Sequence, residues 1–281
     1  MRNVDYKKIV GAVKNMVIEA NYNLSPQVSG KLKKSLKTEK SRLAKATLKI
    51  CLKNVEIAKK EKLALCQDTG LAVFFIKVGQ DLHIKGGILS NAVNEGVKLG
   101  YKQGYLRKSV VSDPLFERKN TLTNTPAIIH TEIVKGNKLE IVFTAKGGGA
   151  ENTSSIKMFK PTDTKDEIAD FIVDTVKKAG ANACPPVVVG VGIGGSFEHC
   201  AYLAKKALIR PLGKSNADKK YAKLEREILD GLNKLNIGPQ GFGGKTTALA
   251  VHIEHFPCHI ASLPVAINLN CWVHRIVKKI I

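Results

Sequence analysis

At 281 residues, with 44% apolar and 25% charged side chains, the chain can bury a sizeable core and has the composition of an ordinary globular protein. It has no run of about eighteen apolar residues that could cross a bilayer. Six cysteines are too sparse for a disulfide scaffold, so a cytoplasmic protein with its thiols reduced or ligating is expected. The formal net charge of +21 suggests phosphate-backbone binding, but the lysines are spread at helical spacing through 31–62 without interleaved aromatics. That pattern favours solvated helix faces over a specific nucleic-acid site, with a basic nucleic-acid-binding protein as the distant alternative.

The chain opens on a helical pattern, with Ile9, Val10, Val13, Met16 and Val17 keeping one face apolar. Ser25-Pro26 supplies a cap and a first-turn proline for the next segment. A further amphipathic stretch carries Leu48, Cys51, Leu52 and Val55, so residues 1–62 are expected to form a helical front end. Beyond it, 72–78 reads as a buried strand and 86–104 as a helix. Segments 127–134 and 138–145 read as a strand pair around Gly136-Asn137. Thr164-x-x-Glu167 is a capping box opening a helix that stops at Gly180. A strand at 187–193, helices at 197–209 and 217–236, and strands at 248–255 and 263–270 complete the pattern. The expectation is one mixed α/β (α+β) domain over 1–281, a helical segment followed by a mixed sheet with packed helices.

Three cysteines stand in unusual settings: Cys66 in Cys-Gln-Asp-Thr-Gly, Cys184 before Pro185-Pro186, and Cys271 after an apolar run. Three thiolates without an obvious fourth suggest an iron–sulfur cluster with one iron left open to substrate, a Lewis acid where a four-cysteine cluster would carry electrons. The competing reading is buried thiols that pack as small hydrophobes. The amide, carboxylate and glycine after Cys66 favour the first, because backbone and side chains there can approach a ligand closely.

Other motifs are weaker. Gly190-Val-Gly-Ile-Gly-Gly follows a strand and opens a helix as a dinucleotide turn does, but no acid-tipped strand follows about twenty residues on, which leaves close helix–strand packing or an anion-binding turn. Gly241-Phe-Gly-Gly-Lys-Thr-Thr lacks the register of a phosphate-binding loop and reads as a tight turn or as a neighbour for an anion. Lys146-Gly-Gly-Gly-Ala-Glu-Asn offers backbone N–H groups to a ligand or is a flexible turn. Arg107 and Arg118 are candidate carboxylate clamps. His259 is either a core histidine or a substrate-orienting group.

Together, Cys66-Gln-Asp-Thr-Gly, Lys146-Gly-Gly-Gly-Ala-Glu-Asn, Gly192-Ile-Gly-Gly-Ser-Phe-Glu, Gly241-Phe-Gly-Gly-Lys-Thr-Thr-Ala and Ala261-Ser-Leu-Pro-Val resemble the class I, iron–sulfur-dependent fumarate hydratases and L(+)-tartrate dehydratases. The likeness covers nearly the whole chain in family order. It implies a [4Fe-4S] cluster on Cys66, Cys184 and Cys271, with Cys51, Cys200 and Cys258 as non-ligands. It also implies a site for a C4 dicarboxylate at Gln67, Arg107 and Gly149, with Asp68 in proton transfer and His259 orienting the hydroxyl. Single-chain members continue into a second domain that supplies further substrate groups and a threonine base. The resemblance is therefore to the α subunit of a hetero-oligomeric enzyme whose β subunit completes the site.

Overall fold

The computed structural model describes residues 2–281. The chain groups into two compact units, each assembled from separate stretches: 1–24, 55–148 and 275–281 in one, 25–54 and 149–274 in the other. Among the described residues no helix is long and apolar enough to cross a membrane.

In the first unit a short strand, β1 (Arg2–Asp5), precedes the expected helix α1 (Tyr6–Tyr22), whose first turn is capped by the Asp5 carboxylate accepting from Lys7 N at 2.7 Å. Ile9, Val13, Met16 and Val17 are buried as the period demanded. They pack on α4 (Leu89–Gln103), where Gly96 and Gly100 let the helices approach: a Cβ at either would lie within 3 Å of Val13 or Val17. The sheet runs β10 (Ile276–Ile280), β5 (Leu139–Lys146), β2 (Leu71–Gly79), β4 (Ile128–Val134). β4 and β5, expected to pair with each other, are instead separated by β2, parallel to the first and antiparallel to the second. The almost wholly apolar β2 needs neighbours on both edges, whereas β4, largely exposed, suits the margin. Among the described residues β3 (Leu82–Lys85) pairs only with β1.

The second unit takes in α2 (Pro26–Thr38), capped by Ser25, and its sheet runs β6 (Ser155–Phe159), β9 (Leu263–Asn270), β7 (Val187–Gly194), β8 (Ala248–Phe256). Helix α3 (Arg42–Glu61) spans the boundary between the two sets of residues. The capping box on Thr164 forms and opens α6 (Lys165–Ala179), and α7 (Phe197–Leu208) and α8 (Lys219–Lys234) follow as the periodicity indicated. Val187, Val189 and Val191 point into a core with Ile172 of α6 and Ile228 of α8. The opposite face of β7 receives α7 through Gly190 and Gly192, where an added Cβ would lie 2.2 Å from Ala204 O and 2.0 Å from Cys200 O. The glycine run after the β7 valines is thus a packing device. Strands β1, β3, β6 and β10 escape the period-2 signal because they are short and, except for β1, carry lysine or lie at sheet margins.

Replacing Gly192 by Ala should lower stability by at least ~2 kcal/mol, since backbone has to move. Gly11→Ala, with nothing near the added Cβ, should raise it by roughly 0.5–1 kcal/mol. Denaturant unfolding of both variants checks the pair.

Candidate active site

In the first unit the end of the sheet where β2 starts and β5 stops gathers the Cys66 motif, the glycine turn after Lys146, and Arg275 at the head of β10, because Leu71 pairs with Lys146 and Ile276 with Thr144. Cys66 is half-buried, with its thiol 3.5 Å from the Gln67 side-chain oxygen, while Gln67 itself is exposed. Asp68 closes the turn: one carboxylate oxygen accepts from Gly70 N at 2.9 Å and the other from Gly148 N at 2.7 Å. The carboxylate therefore ties the cysteine loop to the glycine turn. Gly70 has φ 76°, and a Cβ there would meet the Lys146 backbone at 2.8 Å, so this close approach requires glycine.

Thr69 is buried, and its hydroxyl donates to the Arg107 carbonyl at 2.7 Å, fixing the arginine's backbone beside the cysteine loop while the guanidinium side chain is exposed. Asn124, fully buried, donates to Gly70 O at 3.1 Å and accepts from Ser109 N at 2.7 Å, pinning the segment that follows Arg107. Arg118 is also exposed, but its guanidinium closes on Pro114 O within its own turn.

In the second unit, Cys184 ends a 3-10 turn (Gly180–Ala183) in the left-handed conformation, φ 51°, and its carbonyl accepts from Trp272 N at 3.2 Å. That bond sets Cys184 beside Cys271. The register demands the same, since β7 begins where β9 ends, with Val188 opposite Asn270. Asn270 steadies the turn, its oxygen accepting from Cys271 N at 3.1 Å and its amide donating to His274 Nδ1 at 2.9 Å. Gly149 lies at this end too: a Cβ on it would come within 3.0 Å of Asn182 O. Glu151 anchors its own short helix, α5 (Gly148–Glu151), to Lys205 and to the Asn268 amide at 2.8 Å.

His259 is not a core residue. It is exposed in the turn between β8 and β9, and its Nδ1 accepts from Ala261 N at 3.1 Å, which places the neutral ring's proton on Nε2. The turn lies at the far end of the eight-residue β9 from Cys271, a separation of roughly 25 Å along the strand. The structure thus brings Cys184, Cys271 and Gly149 together in one unit and Cys66, Gln67, Asp68 and Arg107 together in the other. It does not bring His259 to Cys271 within its own unit.

None of the six cysteines forms a disulfide. Cys51 and Cys200 are buried, and burial raises both thiols above the ordinary range, Cys51 to about 11. Cys258 is exposed and donates to Ser262 O at 3.2 Å. Cys66, Cys184 and Cys271 differ from the buried pair in sitting on loops at sheet ends, half-buried or exposed. This donor set suits an iron–sulfur cluster, in which each thiolate takes a different iron. Among the described residues no three His, Cys, Asp or Glu side chains converge as a single-ion site requires. The Gly241 turn is structural: Glu39 accepts from Lys245 N at 2.8 Å, and the fully buried Thr247 accepts from Gly238 N at 3.3 Å. The buttresses Thr69 and Asn124 were missed from sequence: Thr69 lies inside the Cys66 motif without a marked role, and Asn124 stands among the polar residues Thr123 and Thr125.

Residues 10–279 match the fumarate hydratase (Fumerase) family, and the chain belongs to that family. It is 40% identical over 97% of its length to a Methanocaldococcus jannaschii protein provisionally named L(+)-tartrate dehydratase subunit alpha, 98% of which is covered. It is 32% identical over 95% of its length to proteins named L(+)-tartrate dehydratase subunit alpha from Escherichia coli K12 and Shigella sonnei, covering 89% of each.

Asp68→Asn exchanges one acceptor oxygen for an amide that meets an N–H donor, a mismatch costing roughly 1–3 kcal/mol. Amide exchange at Gly70 and Gly148 should accelerate while β7 and β9 stay protected. Unaltered exchange at both glycines would show that the carboxylate does not hold the turn.

Proposed function

We propose that this chain is the α subunit of a class I fumarate hydratase, catalysing reversible hydration of fumarate to (S)-malate with a [4Fe-4S] cluster on Cys66, Cys184 and Cys271. The observation that carries the reading is the backbone bond from Trp272 N to Cys184 O, which ties the Cys184 turn to the Cys271-Trp272 turn at the end of β7 and β9. Cluster chemistry and disulfide-free cysteines both fit a reducing cytoplasm. The exposed lysine faces ask for no specific nucleic acid.

When bound, the cluster would supply a Lewis-acidic iron that makes hydroxide a better leaving group. The chain's own residues bind and orient. The exposed Arg107 guanidinium takes a substrate carboxylate in bidentate fashion, its backbone already set by Thr69. The Gln67 amide and the backbone at Gly149 add donors to carboxylate oxygens. Asp68, with one N–H on each oxygen, keeps a lone pair on each for a hydroxyl or a proton, so its proton-handling role is compatible with its turn-closing one. His259 presents Nε2–H outward to orient a hydroxyl. Its place at the other end of β9 means that it would serve a centre built on Cys271 from a second copy of the chain. Abstraction of the carbon-bound proton needs a base opposite the hydroxyl, and the β subunit implied by the relatives' names is the proposed source. L(+)-tartrate is the second reading, favoured by those same names. It adds one hydroxyl to a dicarboxylate that the same donors would hold.

Anaerobic reconstitution should give about four irons per chain. Cys66→Ser, Cys184→Ser and Cys271→Ser should each lose the cluster, while Cys51→Ser and Cys200→Ser keep it. Turnover of fumarate and of tartrate, assayed side by side, should be negligible without the β subunit; full activity of the lone chain would overturn the two-subunit reading. Mixing His259→Ala and Cys184→Ser chains in the presence of the β subunit should restore part of the activity that neither has alone, and no restoration would remove His259 from the centre of another copy.

A further inference from the structure

Arg275 heads the largest fully buried side chains, at 1% exposure, and no step above uses it. Its Nη1 donates to Asp68 O at 2.7 Å and to Asn21 Oδ1 at 3.0 Å. Asn21, at the end of α1, is itself fully buried; its backbone carbonyl accepts from Leu65 N at 2.8 Å and its amide donates to Val17 O at 2.9 Å. The two residues hold the chain immediately before Cys66 and again at Asp68, so the tripeptide Cys66-Gln67-Asp68 is gripped at both ends through one buried contact. Arg275 is tied in turn to the sheet by Ala145 N, which donates to its carbonyl at 3.3 Å.

Burying a guanidinium among amide and carbonyl oxygens is expensive, and an apolar side chain of similar volume would pack there at less cost. What the arginine adds is direction. The single Nη1 reaches two oxygens on different segments, which an apolar side chain cannot do and a lysine ammonium, on an arm one atom shorter, would reach less well. The bare Cα of Gly147 leaves the space: a Cβ on it would lie 3.2 Å from Asp68 Oδ2 and 3.6 Å from Arg275 Nη2.

We propose that Arg275, acting through Asn21, is a positioning residue that holds Cys66, Gln67 and Asp68 in the geometry their ligand and substrate roles need. This rests on the site assignment above, but its test does not require a loaded cluster. In the apo chain under reducing conditions, the rates of iodoacetamide alkylation at Cys66 and Cys184 are compared by mass spectrometry, with amide exchange across 65–70. Arg275→Gln and Asn21→Ala should each speed Cys66 alkylation by about tenfold, the loss expected when a charge-assisted bond is removed from a locally opening segment. Cys184 should be unaffected. The double variant should do no more than Arg275→Gln alone, because that change already removes both bonds from Nη1, and Arg275→Lys should fall between Gln and wild type. Leu139→Ala, another fully buried position in the same unit, serves as the control for general loosening.

Selective acceleration at Cys66 that exceeds the Leu139→Ala effect upholds the inference. An unchanged Cys66 rate, or one matched by the control, overturns it. If Arg275→Gln does not fold, Arg275→Lys and Asn21→Ala carry the same comparison. Retention of the cluster by Cys66→Ser would defeat the ligand reading of the site while leaving the alkylation result to decide the grip.

Discussion

Everything proposed for this chain depends on how a loop without ladder partners keeps its backbone satisfied in a buried setting. Between Leu65 and the start of β2 the chain makes no regular structure, and buried carbonyl or N–H groups left unpaired would each be costly. Side chains take the place of a neighbouring strand. The Tyr101 hydroxyl lies 2.8 Å from both Thr69 O and Gly70 O, Asn124 donates to Gly70 O, and Asp68 accepts from Gly70 N. Burial pushes the Tyr101 hydroxyl well above its usual range, which keeps it a donor. The thiol and carboxylate of the loop are held in place because the backbone at Asp68, Thr69 and Gly70 is tied by these bonds.

The second unit meets the same need differently. There the thiols sit on turns just outside an antiparallel strand pair, and the ladder itself delivers Cys184 and Cys271 to one end. Glycines in β7 let α7 press against the sheet on one face while valines fill the core on the other. A rigid, doubly covered strand pair makes a better platform for ligands than a mobile loop would. The cost is that β9 carries the turn with His259 away from Cys271, so a residue near in sequence is far in space.

Sequence alone determined the elements whose signal is local. The apolar stripe of α1, the Thr164 capping box and the valine run of β7 each state their structure within a few residues, because helix and strand periodicity and capping are short-range physics. Motif chemistry singled out Cys66 before an amide, a carboxylate and a glycine, Cys184 before two prolines, Cys271 after an apolar run, and Arg107 among apolar and turn residues. Only the tertiary structure decided that β2 separates β4 from β5, that the glycines after Val189 serve helix packing, and that the chain divides into two interleaved units. It alone showed Asn21 and Arg275, 254 residues apart, joined by one hydrogen bond at the cysteine loop. Such pairings follow from which surfaces can be buried together and which polar groups must then be satisfied, and neither condition is written in any single stretch of the chain.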